Sequence, residues 1–119
     1  MKKEALDLAI AEAHRSSQNH KHGAVVVQGG KVVATGHNRV TRRVPSHMYS
    51  KHAEMAAIDQ YSSKTKSLID ACVYVVRINS RCGLANSAPC ALCQRYMKSH
   101  GIKRVFFSTG EDSFGSMYI

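Results

Sequence analysis

Two short motifs constrain this chain more than anything else in it: His52-Ala53-Glu54 and Pro89-Cys90-Ala91-Leu92-Cys93. The first offers an imidazole and, two residues on, a carboxylate. The second offers two thiols at i and i+3, hence on one helix face, behind a proline suited to a first helical turn. One histidine and two cysteines supply three protein ligands for a zinc ion and leave a fourth position open. A fold that uses them together must bring two remote helix starts to one place, with Glu54 beside the ion but not bound to it.

The pattern between and around the motifs predicts how that happens. Residues 3–18 place Ala5, Leu6, Ala9, Ile10 and Ala13 on one face at helical spacing, and this helix ends before His20-Lys21-His22-Gly23. Residues 24–28 and 31–36 are β-rich runs joined by Gly29-Gly30, a two-residue hairpin signal. Residues 37–51, containing Pro45, read as a loop, and 52–61 as a second helix with Met55, Ala56 and Ile58 available for packing. The apolar run 71–78 reads as a strand of the central-sheet kind. A loop over 79–88 leads to a third helix from Pro89 to about His100, with Gly101 as its stop, and residues 103–108 form a further strand. The order α-β-β-α-β-α-β predicts a three-layer α/β/α sandwich on a mixed central sheet. The tail, 110–119, has room for one more strand or a docked loop. The 119 residues fit a single domain, 1–119.

Composition narrows the setting. At 44% hydrophobic the chain can bury a core. No apolar run approaches the ~18 residues needed to span a bilayer, so no membrane segment is expected. The start, Met1-Lys2-Lys3-Glu4, is unlike a secretory signal, which predicts an intracellular, cytoplasmic protein. In a reducing compartment a C-x-x-C pair is better used for metal than for a disulfide. Cys72, inside the apolar strand, reads as a core thiol; Cys82 lies in a polar loop and suggests no role. Seventeen lysines and arginines against eight aspartates and glutamates give a formal net charge of +9. Such an excess attracts polyanions, so the expected partner is a nucleotide or single-stranded nucleic acid. The basic residues, among them Lys21, Arg39, Arg42, Arg43, Lys51, Arg95, Lys98, Lys103 and Arg104, are scattered along the chain.

The motif chemistry suits hydrolytic deamination. Water must attack an amidine-like ring carbon and ammonia must leave, and neutral water is a poor nucleophile. One zinc ion held by His52, Cys90 and Cys93 would lower the pKa of water at its open position towards ~7. A carboxylate must then move protons from that water to the ring nitrogen and the leaving amine. Glu54 is the only acidic residue in either motif and is the candidate for that work. Both motifs open helices, so backbone N–H groups and positive dipole ends point at the site, which favours the thiolate forms of Cys90 and Cys93. The alternative is a closed structural zinc site, completed by Cys72 or Cys82 and a further histidine.

With these residues in view, the chain resembles the cytidine and deoxycytidylate deaminase superfamily over nearly its whole length. Gly23-Ala24-Val25-Val26-Val27 looks like the family's first strand, and Ala34-Thr35-Gly36-His37-Asn38 like the end of its second. The two zinc motifs match, and Gly101-Ile102-Lys103-Arg104-Val105 looks like the following strand entry. The resemblance implies the α/β/α fold, one catalytic zinc, and assembly as a homo-oligomer. It implies substrate contacts at Asn38, which matches an asparagine that contacts the nucleoside, at Ala53 within the first motif, and at Ser87 and Ala88 through their backbone. Asn38 can equally be a turn residue after a strand. The H-A-E form resembles the deoxycytidylate, guanine and tRNA-adenosine branches, since free cytidine deaminases usually carry cysteine as the first ligand. The 37–51 loop holds His37 and His47 but no cysteine, so a second, structural zinc is not supported. The chain stops soon after 103–108, without room for the helical tail of the tRNA-adenosine enzymes.

Three functions compete at this stage. The expected one is deamination of cytosine in a nucleotide such as deoxycytidylate, with Arg39, Arg42, Arg43 or Lys51 binding the phosphate. The second is deamination of cytosine or adenine in single-stranded DNA or RNA, with Tyr49, Tyr96 and Phe114 as stacking candidates. Phe106 and Phe107 read instead as core strand residues. The third is a binding module that keeps the metal but has no chemistry, against which the intact Glu54 argues.

Overall fold

Helical and β-period runs form where the pattern places them, with additions at the loops. In a computed structural model of the protein, which describes residues 3–18, 20–40, 50–62 and 67–119, the elements in chain order are α1 (Lys3–His14), β1 (Lys21–Gln28), β2 (Lys31–His37), β3 (Arg39–Val40), β4 (Ser50–Lys51), α2 (Ala53–Ser62), β5 (Cys72–Ile78), β6 (Leu84–Ala85), α3 (Ala91–Ser99), β7 (Arg104–Ser108) and β8 (Phe114–Tyr118). Gly29 and Gly30 sit at φ 59° and 77°, the two positive values that a type I′ hairpin turn demands. They fold β2 back antiparallel to β1.

The main sheet runs β2-β1-β5-β7-β8, with β6 paired to the end of β5. It is mixed: β5 and β7 are parallel, and the other neighbours are antiparallel. A parallel pair needs a crossover, which α3 supplies, whereas the short link from β7 to β8 permits only an antiparallel return. Strand alternation then builds two cores. Val25 and Val27 of β1 join Tyr74, Val76 and Ile78 of β5 against Ala5, Ala9 and Ala13 of α1. Ala24, Val26, Val73 and Val75 point the other way, against Ala57 and Ile58 of α2 and Cys93 and Met97 of α3. The result is the expected α/β/α sandwich, with α1 on one face of the sheet and α2 and α3 on the other.

The departures from the sequence reading have local causes. The first helix stops at His14 rather than running to residue 18. Ser16 Oγ donates to the Asn38 carbonyl at 3.0 Å and accepts from the Gln18 N–H at 3.2 Å, which turns the chain off the helix towards the end of β2. The region read as a loop between β2 and α2 is paired at its two ends, β3 with β4. The loop before α3 contains β6, a two-residue strand that exists only because β5 offers it a partner. Among the described residues no helix is long and apolar enough to cross a membrane.

One close approach fixes where α2 begins. A Cβ on Gly36 would lie 2.5 Å from the Ala57 nitrogen and 2.9 Å from Ala56 C. These are backbone atoms, so the helix itself would have to move. Gly36→Ala is therefore expected to destabilise the fold by about 1–3 kcal/mol, as overpacking does. Chemical denaturation would measure it, and an unchanged midpoint would contradict the contact.

Candidate metal centre and cavity

His52 stands immediately before α2, and its carbonyl takes the Ala56 N–H at 2.9 Å. Cys90 is the N-cap of α3, in extended backbone (φ −71°, ψ 166°), with its Sγ 3.5 Å from the Cys93 N–H. Pro89 precedes it, and the Pro89 carbonyl is held by Gln94 Nε2 at 2.9 Å. Two helix starts thus meet at one end of the sheet. His52 Nδ1 lies 3.0 Å from Cys93 Sγ and 3.9 Å from Cys90 Sγ. The three ligand atoms all fall within 4.8 Å of one another. One imidazole and two sulfurs at this separation fit a zinc ion with an open position. Among the described residues neither Cys72 nor Cys82 joins the group, so the closed structural site weighed from sequence finds no support here.

Glu54 follows on the first turn of α2 and is only 4% exposed. Burial pushes its carboxyl above the usual range, against the opposing pull of its own backbone hydrogen bond, His52 and Cys93. Cys93 is buried as well. Burial, helped by the neighbouring Glu54 and Cys90, drives its thiol far up. Helix starts were expected to favour thiolates. Loss of solvation and like charge act against the helix dipole at Cys93, and a bound dication would favour the thiolate.

The triad opens onto a cavity of about 430 Å³, a common size for a small-molecule site. Its lining takes in His52, Ala53, Glu54, Ala88, Pro89 and Cys90, together with Gln18, His20, His22, Asn38 and Ser87. All of the site residues singled out from sequence, except the buried Cys93, therefore border this cavity.

Their hydrogen bonds refine the roles open to them. The Asn38 side chain accepts from the His22 N–H at 2.8 Å and donates to the His20 carbonyl at 2.6 Å and to Gln18 Oε1 at 2.7 Å. Both of its amide protons are committed, and one acceptor lone pair remains for a ligand. Ser87 is tied to the sheet. Its N–H goes to the Ser108 carbonyl at 2.7 Å, and its hydroxyl donates to the Val75 carbonyl at 2.9 Å and accepts the Ser108 N–H at 2.9 Å. The Ala88 N–H goes to Asn86 Oδ1 at 3.2 Å. These two residues can meet a ligand through their carbonyls, not their N–H groups.

The basic and aromatic candidates fare differently. Lys51 is ion-paired with Asp59, and Asp59 also takes the Tyr96 hydroxyl, so Lys51 and Tyr96 brace α2 against its neighbours. Arg39 lines a separate cavity with Glu12 and Asp59. Phe106 and Phe107 pack against the two cores, as expected. Arg42, Arg43, His47 and Tyr49 lie outside the described residues.

Comparison with known proteins agrees with this geometry. Residues 1–109 match the family model described as the cytidine and deoxycytidylate deaminase zinc-binding region. The chain belongs to this family. Its members are hydrolytic deaminases built on a zinc-binding domain. The fold is similar to cytidine deaminase from Burkholderia pseudomallei, with a TM-score of 0.78 at 20% identity, covering 99% of this chain and 93% of that one. It is also similar to dCMP deaminase from the cyanophage S-TIM5 in apo form, with a TM-score of 0.65 at 20% identity over 94% of this chain and 88% of that one. No curated protein sequence matches the chain.

Three residues that border the cavity of this deaminase-family chain were missed from sequence: Gln18, His20 and His22. The signal available was only the nearness of His20 and His22 to Gly23, with His20 in the bend before β1 and His22 on the strand. Burial, with Arg77 and His52 adding to it, holds the His22 imidazole below its ordinary value, against a hydrogen bond with the His20 backbone.

Two measurements follow from this site. Zinc binds cysteine as the thiolate, so uptake at Cys90 and Cys93 should release protons and apparent zinc affinity should rise with pH. Competitive chelator titrations across pH would show this; a pH-independent affinity would exclude Cys93 as a thiolate ligand. Ser87→Ala removes the acceptor for the buried Ser108 N–H and should cost about 1–3 kcal/mol of stability by denaturant titration.

Proposed function

We propose that the chain, residues 1–119, is one domain that hydrolytically deaminates cytosine in a nucleotide such as deoxycytidylate, giving the uracil product and ammonia. The observation that carries this reading is the buried Glu54 carboxyl beside the His52, Cys90 and Cys93 ligand atoms, on the wall of a cavity able to take a pyrimidine nucleotide. His52, Cys90 and Cys93 hold the zinc ion. When bound, zinc supplies the Lewis acidity that makes water a competent nucleophile near neutral pH. Glu54, its proton affinity raised by burial, takes a proton from the attacking water and passes protons to the ring nitrogen and the departing amine. Water adds at the ring carbon, the C–N bond to the amine breaks, and ammonia leaves. The walls at Ala53 and Ala88 close around the ring, and Asn38 offers its remaining lone pair to the sugar. The four cysteines are free thiols, in keeping with action in a reducing, cytoplasmic setting. Self-association is part of the proposal, since the outer edge of β8 has no strand partner among the described residues.

Net charge favours a second reading. A formal +9 suits a polyanion, and the same pocket could receive an unpaired base from single-stranded DNA or RNA. Product analysis by mass spectrometry separates the two. The zinc-loaded protein would be incubated with deoxycytidylate, cytidylate, cytidine, guanine, single-stranded DNA and tRNA. Turnover of free deoxycytidylate, with little dependence on salt, is expected. Turnover of oligonucleotides alone, falling steeply as salt rises, would replace the first reading with the second. Glu54→Gln should lower kcat by roughly 10²–10⁴ while zinc content stays unchanged; full activity in that variant would refute the proton-transfer role.

A further inference from the structure

His20 is tied down at both its backbone and its ring. Its carbonyl accepts from Asn38 Nδ2 at 2.6 Å, and its Nδ1 lies 2.7 Å from an Arg77 guanidinium nitrogen. Arginine carries only donors, so Nδ1 is the acceptor in that bond and the ring proton of the neutral imidazole resides on Nε2. Arg77 stands opposite His22 in the β1–β5 register, and among the described residues no carboxylate pairs with it. An exposed imidazole normally exchanges rotamers and tautomers freely; here one orientation and one donor are fixed before any ligand arrives.

Both residues line the cavity, with the Glu54 carboxyl buried and His20 exposed to solvent. In the deamination proposed above, on which this inference rests, the base must reach Glu54 and the ligand triad. The sugar and its phosphate are then left towards solvent, and both present acceptor oxygens. We propose that His20 is a specificity-determining residue that donates from Nε2 to an oxygen on the sugar-phosphate side of the substrate, with Arg77 as the positioning residue that fixes its tautomer. A site built to donate there discriminates against an analogue lacking the oxygen, because the donor is left unpaired.

Two measurements on the zinc-loaded protein test this. Long-range proton–nitrogen NMR should find the His20 proton on Nε2, and in Arg77→Met a mixture of tautomers; a proton on Nδ1 in the unmodified protein overturns the proposal whatever the activity. Steady-state kinetics with deoxycytidine and deoxycytidylate form the second arm. His20→Ala should raise KM roughly tenfold with a much smaller change in kcat. His20→Gln, which keeps an N–H donor, should recover part of the loss, and Arg77→Met should raise KM in the same direction. A loss confined to deoxycytidylate assigns the oxygen to the phosphate, and an equal loss on both substrates assigns it to the sugar. An unchanged KM in His20→Ala removes the contact and leaves the deaminase reading standing. Absence of turnover of any cytosine substrate by the unmodified protein instead removes that reading, and this inference with it.

Discussion

Glu54 and Cys93 are two acidic groups buried side by side at the start of two helices, and the rest of the site depends on how that conflict is resolved. Burial raises the proton affinity of both, and Glu54 raises that of Cys93 further, while the hydrogen bond with Cys93 pulls the Glu54 carboxyl the other way. In water they would separate; the sandwich prevents this because Cys93 is wedged into the core beside Met97 and Ala57. On the proposed function, His52, Cys90 and Cys93 would hold a zinc ion whose charge favours the thiolates, and Glu54, left outside that set, would keep a carboxyl free for proton transfer.

The scaffold exists to hold that point steady. Gly36 lets α2 sit close on β2, which fixes His52 and Glu54. Ser87 and Ser108 bond each other and reach the carbonyls of Val75 and Ala85, tying the loop before Cys90 to β5, β6 and β7. Asn38 does the same elsewhere in the lining, stitching the end of β2 to the 18–22 segment. Polar residues that read as substrate contacts in the sequence are therefore largely engaged in rigidifying the cavity, and they meet a ligand with what capacity is left over.

Much of the fold was legible because the strands and helices carry strong periodicity. The Gly29-Gly30 turn, the apolar β5 run, and the two cores they generate follow from spacing alone. The end of α1 was not legible, since it is set by Ser16 bonding to Asn38, remote in sequence. Nor was β6, whose pairing is decided by β5 and by no pattern of its own. At the site, the cluster of His52, Cys90 and Cys93 that could hold a metal, and Glu54 next to it, were legible as candidates because their chemistry demands particular side chains at particular spacings. Gln18 and His20 were not, because loop residues show no period and their contribution arises only when the fold brings them to the cavity lining.

The sequence by itself determined the ligand set, the acid–base candidate and the layer order, for these are consequences of side-chain chemistry and hydrophobic period. Only the tertiary structure decided that Lys51 is spent on Asp59, that Ser87 faces the sheet with its hydroxyl, and that Arg77 reaches His20. Those outcomes depend on which polar groups become neighbours on burial, and a buried donor or acceptor takes whatever partner the packing provides.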